Sequence, residues 1–345
     1  MFDHPAFDAH EGVHLFHDAE TGLRGIIAIH STALGPAAGG CRMWNYDTGE
    51  QMLRDALRLS HGMSYKNALA DLPLGGGKAV IWGNSRTDKT PDLFRAFGRA
   101  IETLNGVYYT AEDVGISPED LAYAREETEY VAGLSEGKAA SGDPSPVTAE
   151  GVYRGIRTAL GHVFDNDDPK GKRIAVQGVG HVGADVVRKL AHAGAELFIA
   201  DIAEDQVNAL GAETGAKVVS VDEILFQDVD VVSPNALGAI LNETSIPRLT
   251  CKIVAGGANN QLSTPEMGQM LCEAGILYAP DYVINGGGII NVAAEISGEY
   301  RRDWVEGKLS KLMTTLDEIF TQASQNSTAT NRIADDIARQ RIGRA

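Results

Sequence analysis

Cysteine is scarce in this chain. Its 345 residues include three cysteines, Cys41, Cys251 and Cys272, and no two of them have CxxC spacing. Such a sparse set does not indicate a disulfide framework. It indicates reduced thiols, which are typical of the cytoplasm, so we expect a cytoplasmic protein.

Positive charge is also in short supply. The 30 lysines and arginines are outnumbered by 47 acidic residues, which gives a formal net charge of −17. A surface this acidic repels nucleic acid and anionic membranes, so we expect neither as a partner. No apolar run approaches the roughly 20 residues that span a bilayer. The acidic N-terminus also lacks the basic-then-apolar layout of a signal peptide.

A metal-binding pattern is missing as well. His10, His14 and His17 have helical spacing, but the segment around them contains Gly12 and no helix signal. Without a helix to hold them on one face, these histidines do not form a ligand set, and we predict no metal site.

The remaining composition is ordinary for a globular protein, and the length allows two domains. A length of 345 residues is enough for two separate cores. The segment SGDPSPVT, at 141–148, is rich in turn-forming residues and is the best domain boundary. We predict one α/β domain over residues 1–145 and a second over residues 146–324. A C-terminal helix at about 325–345 is expected to pack back on the first domain.

The first domain is predicted to have a mixed sheet. Apolar residues at helical spacing predict a helix over 49–70, with Lys66 near its end. Short apolar runs at 25–30, 79–82 and 107–110 predict buried strands. The segment at 35–40 is rich in glycine and proline and is predicted to be a loop.

The second domain shows strands that alternate with helices, which predicts a parallel sheet with crossover helices. The predicted strands are 173–177, 196–200, 229–232 and 252–255, and the predicted helices between them are 181–193 and 204–210.

The second domain also carries a dinucleotide-binding pattern. Gly178-Val179-Gly180-His181-Val182-Gly183 leaves an apolar strand and opens a helix, which is the context that a pyrophosphate site requires. The next strand ends at Asp201, whose carboxylate can bind an adenosine ribose and would repel a 2′-phosphate. Ile202 and Ala203 follow, with no arginine to receive such a phosphate, so we predict NAD rather than NADP. The alternative is a glycine turn that binds no nucleotide.

Two lysines in the first domain are candidates for chemistry. Lys66 precedes Gly75-Gly76-Gly77-Lys78 in the segment SYKNALADLPLGGGKAVIWG. A lysine held between glycines and an apolar strand is partly desolvated, and burial disfavours the charged amine, as a proton-transfer group requires. The alternative is a glycine turn followed by an exposed lysine. A Walker loop is excluded, because it needs glycine and Ser or Thr where Leu72 and Ala79 stand.

Taken together, these features resemble the glutamate/leucine/phenylalanine/valine dehydrogenase family, most closely its leucine and phenylalanine branch. The resemblance runs from about residue 23 to residue 295. It rests on motifs in the expected order: GPAAGGCRMW, MSYKNALADLPLGGGKAVI, YYTAEDVG, SGDPSPVTAEGV, QGVGHVG, AGGANNQL and YVINGGGIINVAAE.

The resemblance implies an NAD-dependent, reversible oxidative deamination of an L-amino acid to a 2-oxo acid and ammonia. The first domain would bind substrate and form a homo-oligomer, and the second would be a Rossmann-type NAD domain. At matching positions, Lys66 would hold the substrate carboxylate, Lys78 would act as general base and Asp113 would carry protons. Glu112, beside Asp113, is the alternative acid.

Further positions are implied by the same resemblance. Asn259 would lie between nicotinamide and substrate. The cofactor would also contact Gly178, Gly180, His181, Val182, Gly183, Asp201, Ile202, Thr148, Asn235, Ala236 and Asn285. The substrate pocket would be formed by Gly39, Ala38, Met63, Ala111, Ile289 and Val292.

The pocket residues predict an apolar substrate. Ala38 stands where glutamate enzymes of the family place a cation, and an unpaired buried carboxylate would be costly there. Met63, Ala111, Ile289 and Val292 are apolar too, which favours leucine-, valine- or phenylalanine-like side chains. The preferred amino acid, the oligomer size and the physiological direction stay open. Two alternatives also stay open: an NAD-dependent oxidoreductase that acts on another amine, and a non-catalytic NAD-binding regulatory protein.

Overall fold

The computed structural model describes residues 1–134, 142–298 and 300–344. Ser141, the first residue of the segment predicted as domain boundary, lies outside them. The chain divides into two compact units. One consists of Met1–Asp143, Ile289–Glu306 and Ala338–Ala345, and the other of Pro144–Gly288 and Gly307–Ile337.

The first unit contains a mixed sheet with strand order β1-β2-β4-β3-β5. Strand β4 pairs antiparallel with β2 and parallel with β3, and β3 pairs parallel with β5. The strands are β1 (Gly12–Asp18), β2 (Leu23–Ser31), β3 (Ala37–Trp44), β4 (Gly75–Trp82) and β5 (Tyr108–Glu112), and the helices between them are α1 (Gly49–Leu69), α2 (Pro91–Glu102) and α3 (Pro118–Arg125).

Both faces of this sheet are covered by helices. Val80 packs with Ala56 and Leu57 of α1, whereas Ile81 packs in a separate cluster with Phe97 of α2. Successive strand residues point to opposite faces, so Lys78 lies on the same side of β4 as Val80, the side covered by α1. Each fully buried large side chain in these cores contributes about 1.5–3 kcal/mol.

The glycine run is part of β4 and not a turn before it. Gly75, Gly76 and Gly77 all lie in the strand and are buried. A Cβ on Gly76 would lie 2.0 Å from the backbone N of Ser64 in α1, and one on Gly77 would lie 2.7 Å from the Tyr108 ring. The glycines therefore let α1 and β5 approach the strand that carries Lys78.

The loop predicted at 35–40 is wrong over most of its length, because β3 begins at Ala37. Gly35 makes the turn, with φ +142°. The two glycines that follow belong to the strand: a Cβ on Gly39 would lie 2.0 Å from the carbonyl oxygen of Gly77 on the neighbouring strand. Glycine at this position allows two backbones to pack closely. Composition alone does not distinguish this role of glycine from its role in a loop.

The second unit contains a parallel sheet with strand order β11-β10-β9-β6-β7-β8. Its strands are β6 (Arg173–Gln177), β7 (Glu196–Ala200), β8 (Lys217–Val218), β9 (Val231–Pro234), β10 (Ile253–Val254) and β11 (Leu277–Tyr278). Ala175, Val232 and Val254, from its central strands, pack with Ile224 and Leu271 in one core. The mixed and parallel sheets together confirm the predicted α/β fold class.

The remaining helices lie before, between or after these strands along the chain. They are α4 (Ser145–Phe164), α5 (His181–His192), α6 (Glu204–Thr214), α7 (Glu266–Glu273), α8 (Asp281–Ile284), α9 (Gly287–Ile296), α10 (Arg302–Asn326) and α11 (Thr330–Arg341). Within the described ranges, none of the helices has both the length and the apolar composition that a membrane crossing needs.

Candidate active site

The chemical centre of the first unit is an ion-pair network around Lys78. The Nζ of Lys78 lies 2.8 Å from Oδ2 of Asp113, and its side chain is 6% exposed. The Nε of Arg42 donates to the same oxygen at 3.1 Å. Arg42 in turn reaches Oδ2 of Asp55 on α1 through its NH1, at 3.0 Å. Two cations and two carboxylates therefore alternate through this network.

Strand pairing explains why these side chains meet. Arg42 on β3 pairs with Val80 on β4, and Cys41 pairs with Glu112 at the end of β5. The sheet thus brings together Lys78 of β4, Arg42 of β3 and Asp113, the residue that follows β5. These three side chains lie on the face of the sheet that α1 covers, and Asp55 of α1 lies on the same face.

The turn after β5 fixes the position of Asp113. The backbone N of Ile116 donates to the Asp113 carbonyl at 3.0 Å, and the backbone N of Met43 donates to the Val114 carbonyl at 3.0 Å. Gly115 has φ +81°, and a Cβ there would lie 2.4 Å from the Met43 carbonyl oxygen. Only glycine fits this turn without strain.

The network keeps Asp113 ionised. Burial raises the pKa of this carboxyl, but the charges of Lys78 and Arg42 and a hydrogen bond from Lys78 outweigh burial and hold the pKa below its usual range. The neighbouring Glu112 differs, because burial and the charges of Asp143 and Asp113 raise its pKa. Of the two candidate acids, Asp113 is the one that contacts Lys78.

Lys66 and Met63 lie one turn apart near the end of α1, and both are partly buried. Ala38 and Gly39 are buried at the start of β3, where the Tyr108 hydroxyl donates to the Gly39 carbonyl at 2.6 Å. The Nδ2 of Asn67 donates to the Gly75 carbonyl at 2.5 Å and so ties α1 to β4 beside this group.

The other predicted pocket residues lie on two elements of the same unit. Ala111 is buried in β5. Ile289 and Val292 lie one turn apart on α9 and are partly buried. Further along α9, the carboxylate of Glu295 accepts from the backbone N of Leu134 at 3.2 Å, which anchors the helix to the segment after β5.

In the second unit, the glycine motif forms the turn between β6 and α5. Gly178 has φ +89°, and a Cβ on Gly183 would lie 2.0 Å from the Gly178 carbonyl oxygen. Gly180 is the N-cap of α5, has no side-chain cap, and would meet nothing within 4 Å if it carried a Cβ. A helix start without a side-chain cap, beside open space, can receive an anion.

Asp201 closes this turn from the end of β7. Its Oδ2 accepts from the backbone N of Val179 at 2.7 Å, and its Oδ1 accepts from the backbone N of Ala203 at 2.9 Å. Ile202 beside it is 89% exposed. The carboxylate is thus held at the mouth of the glycine turn, where a ribose would lie in a Rossmann fold.

The predicted amide residues follow three different elements: Asn235 comes after β9, Asn259 after β10 and Asn285 after α8. Asn235 accepts from the backbone N of Gly257 at 2.9 Å, and exposed Ala236 follows it, with its Cβ against Gly178. Asn285 donates to Oδ1 of Asn259 at 2.8 Å. The Oδ1 of Asn285 is buried and has no hydrogen-bond partner among the described residues. A buried acceptor of this kind fits a donor from a bound ligand, such as a carboxamide NH2.

Thr148 lies in the first turn of α4, where its hydroxyl donates to the Pro144 carbonyl at 2.9 Å. A Cβ on Gly288 would lie 3.0 Å from its Oγ1. Thr148, Asn259 and Asn285 all belong to the unit that holds the glycine turn. The uncapped helix start, the held carboxylate and the orphaned amide oxygen together fit a dinucleotide.

A histidine cluster was not predicted. Within the described part of the chain, ligand atoms of Asp8, His30 and His61 lie within 4.8 Å of one another and could hold a metal ion. However, the NH1 of Arg344 lies 2.7 Å from Nε2 of His30, and the same guanidinium donates to the Asp8 carbonyl at 2.9 Å. This arginine places a cation beside the cluster, so we assign no metal there. His14 and His17, on opposite faces of β1, do not join His10 in a ligand set.

Sequence reasoning missed Arg42 and Asp55 as members of the site. Arg42 lies within the GPAAGGCRMW motif, so the pattern contained the residue without indicating a partner for it. The signal that could have found it is strand alternation, which puts Arg42 on the same side of the sheet as Lys78 once β3 is recognised as a strand.

Comparison with known proteins gives independent support for an assignment to a family. Residues 10–130 match the model of the Glu/Leu/Phe/Val dehydrogenase dimerisation domain, and residues 196–342 match that of Glutamate/Leucine/Phenylalanine/Valine dehydrogenase. The chain is 48% identical to leucine dehydrogenase of Thermoactinomyces intermedius over 342 residues, covering 99% of this chain and 93% of that enzyme.

Two further relatives are named for aromatic amino acids. Phenylalanine dehydrogenase of Bacillus thermotolerans is 43% identical over 338 residues, covering 96% of this chain and 88% of that enzyme. The crystal structure of L-tryptophan dehydrogenase from Nostoc punctiforme superimposes with a TM-score of 0.87 at 42% identity, covering 97% of this chain and 96% of that one.

Proposed function

This chain belongs to the glutamate/leucine/phenylalanine/valine dehydrogenase family, and we propose that it catalyses the NAD-dependent, reversible oxidative deamination of apolar L-amino acids to 2-oxo acids and ammonia. The observation that carries the proposal is the buried Lys78 amine, 2.8 Å from the Asp113 carboxylate. Relatives with 43–48% identity over nearly the whole chain are named leucine and phenylalanine dehydrogenases.

The residues of the first unit divide the chemistry between them. Lys66 holds the substrate carboxylate, which fixes the position of Cα. NAD, when bound, would supply the acceptor for the hydride that leaves Cα. Before this transfer, the ionised Asp113 accepts a proton from the substrate ammonium. Lys78 then takes a proton from the water that adds to the iminium carbon, and Asp113 returns its proton to the amino group. The hydroxyl proton of the carbinolamine is lost to solvent as ammonia leaves and the 2-oxo acid forms. Each positioned proton transfer is worth roughly 10²–10⁴ in rate.

The side-chain pocket is proposed to be apolar. Ala38, Gly39, Met63, Ala111, Ile289 and Val292 supply no charge that could pair with a second carboxylate. Glutamate would leave that carboxylate unpaired and desolvated, so leucine, valine and phenylalanine are the expected class. Apolar side chains that differ by a methylene are separated by only about 1–3 kcal/mol, so a broad range is expected.

The cofactor residues are proposed to lie around the glycine turn. The amides at the start of α5 hold the pyrophosphate, and Asp201 holds the adenosine ribose. Asn235, Ala236, Ile202, Thr148 and Asn285 surround the remaining parts, and Asn259 contacts both cofactor and substrate. The buried acceptor on Asn285 supports the nicotinamide end of this assignment.

The enzyme is further proposed to be a cytoplasmic homo-oligomer. The match to a dimerisation domain supports self-association. The three cysteines are free, and two of them are buried, which suits a reducing compartment.

The proposal is tested by NADH formation with NAD and a panel of leucine, valine, phenylalanine, tryptophan and glutamate at alkaline pH. Turnover of the apolar members with little or none of glutamate is expected. Turnover of simple amines but not of amino acids would favour an amine oxidoreductase instead. NAD binding without any turnover would favour a non-catalytic role.

A further inference from the structure

We infer that Arg42 is a positioning residue that holds Asp113 in the orientation and charge state in which it exchanges protons with the substrate amine. This inference rests on the proposed function and adds a residue to its machinery. Arg42 is proposed to touch Asp113 and Asp55 rather than the substrate.

The geometry gives Asp113 two cations where one would neutralise it. The Nζ of Lys78 and the Nε of Arg42 both contact Oδ2 of Asp113, at 2.8 Å and 3.1 Å. One oxygen of the carboxylate is therefore contacted by two cationic side chains from neighbouring strands. Its orientation follows from the sheet and not from Lys78 alone.

The second cation matters because Lys78 changes charge during the reaction. A general base is neutral before it takes its proton. With Lys78 as the sole partner, a neutral lysine would leave the partly buried Asp113 carboxylate unpaired, and the carboxylate would tend to keep a proton itself. Arg42 stays charged, because guanidinium does not lose its proton in proteins. It can therefore hold Asp113 ionised while Lys78 is neutral.

The position of Arg42 is itself fixed. Its NH1 donates to Asp55 at 3.0 Å, and Asp55 also accepts from the Tyr46 hydroxyl at 2.8 Å. The Arg42 and Asp55 side chains are 20% and 17% exposed. Burial lowers the pKa of Arg42, but Asp113 and Asp55 outweigh burial and raise it. The guanidinium is thus anchored at one end and presents its Nε to Asp113.

Other titratable groups also act on Asp113 and define what the test must separate. Lys78 and Arg42 face it from β4 and β3, and Glu112 precedes it on the chain. The thiol of Cys41 and the hydroxyl of Tyr108 also interact electrostatically with it, and burial raises the pKa of both. Arg42 is the cation in this set whose charge does not vary with the reaction.

The test compares Arg42→Met, Arg42→Lys and Arg58→Met with wild type. Arg58 is a matched control, because it donates to Asp55 at 3.3 Å and is half exposed. We expect Arg42→Met to lower kcat about 100-fold or more, the low end of one proton-transfer contribution. The KM for the amino acid should change less than about threefold, because Lys66 is intact. A threefold change is small, since about 1.4 kcal/mol of lost binding free energy would change KM roughly tenfold.

The second readout is the titration of Asp113 itself, followed by infrared difference spectra of ¹³C-aspartate protein and assigned with Asp113→Asn. Arg42→Met should raise the pKa of Asp113 and move the acidic limb of the kcat profile to higher pH. Arg42→Lys should return the acidic limb to its wild-type pH and restore part of kcat. Arg58→Met should leave the pKa of Asp113 and the acidic limb unchanged.

The outcomes separate this inference from the proposed function. An unchanged Asp113 titration in Arg42→Met overturns the role of Arg42, whether or not the protein turns over amino acids. A lower melting temperature and a higher KM without a pH shift would also overturn it, as a merely structural contact. Absence of wild-type turnover contradicts the proposed function, and the infrared titration then still decides whether Arg42 controls Asp113.

Discussion

At the scale of single residues, charge placement decides both the chemistry and the choice of cofactor. The buried Lys78 amine pairs with the partly buried Asp113 carboxylate, and Asp201 is held at the glycine turn by two backbone amides. Both arrangements use a carboxylate whose position is set by hydrogen bonds from the backbone or from cations. A change of charge at either place should therefore alter function more than fold.

The prediction for Asp201 concerns cofactor choice. Asp201→Asn keeps a side-chain oxygen that can accept a hydrogen bond but removes the negative charge that repels a 2′-phosphate. We expect kcat/KM with NADP to rise at least about tenfold, equivalent to about 1.4 kcal/mol, while kcat/KM with NAD falls. Steady-state rates with both cofactors measure this. Asp205→Asn, in the first turn of α6, is the control, and an unchanged NADP rate in Asp201→Asn would refute the role of Asp201.

At the scale of elements, close packing of α1 against β4 positions Lys66 and Lys78. Gly76 lies where α1 passes over the strand, and a Cβ there would lie 2.0 Å from the backbone N of Ser64. Backbone atoms cannot move aside as a flexible side chain can, so the helix and the strand would have to separate.

This predicts a matched pair of glycine substitutions. Gly76→Ala should reduce the stability of the first unit by about 1–3 kcal/mol or more through overpacking. Gly62→Ala, in the interior of α1 with open space around it, should stabilise by about 0.5–1 kcal/mol. Thermal melting of the two variants measures the difference. Equal melting temperatures would mean that the glycine run is not required for this contact.

Element types were predictable where one signal dominated. Strands β6 and β7 match the predicted 173–177 and 196–200, because short apolar runs bounded by turn residues leave little choice. α1 was predicted from helical spacing, with an end at Leu69 rather than residue 70. The strand β3 was not predicted, because its glycines allow a neighbouring strand to pack closely, and local composition does not reveal that neighbour.

The helix α4 shows a second limit. Its first turn holds Ser145 and Pro146, which the sequence presents as part of a turn-rich segment. Proline is tolerated in a first helical turn, where its missing N–H has no intrahelical partner. The ion pair between Arg42 and Asp113 was out of reach for a different reason: the two residues are far apart in sequence, and their meeting depends on strand order.

At the scale of the whole molecule, buried His30 and partly buried His61 limit stability at low pH. Burial and the charges of His61 and Arg344 lower the pKa of His30 to about 3, and burial together with His10 and Arg339 lowers the pKa of His61 to about 4. Both rings are therefore neutral in the folded protein near neutral pH. The unfolded chain, with histidine pKa values near about 6.5, takes up these protons more readily.

The sign of the pH dependence follows. The stabilisation is fully present above about pH 6.5 and is lost as pH falls toward the folded-state values. We expect the melting temperature to drop steeply between pH 6.5 and pH 4.5, and His61→Gln to flatten that drop. His17→Gln, exposed on β1, is the control. A wild-type melting temperature that is flat over this range would contradict the account.

The most direct test of the central claim is the rate of NADH formation from a good apolar amino acid in wild type, Lys78→Ala and Lys89→Ala. Lys89 is also ion-paired with an aspartate, Asp120, but lies outside the network. The account predicts that Lys78→Ala loses about 10²–10⁴ in kcat, the contribution of one positioned proton transfer, while it still binds NAD, and that Lys89→Ala keeps most of its activity. A Lys78→Ala enzyme within tenfold of wild type, or an equal loss in both variants, would contradict the claim that the Lys78–Asp113 pair carries the chemistry.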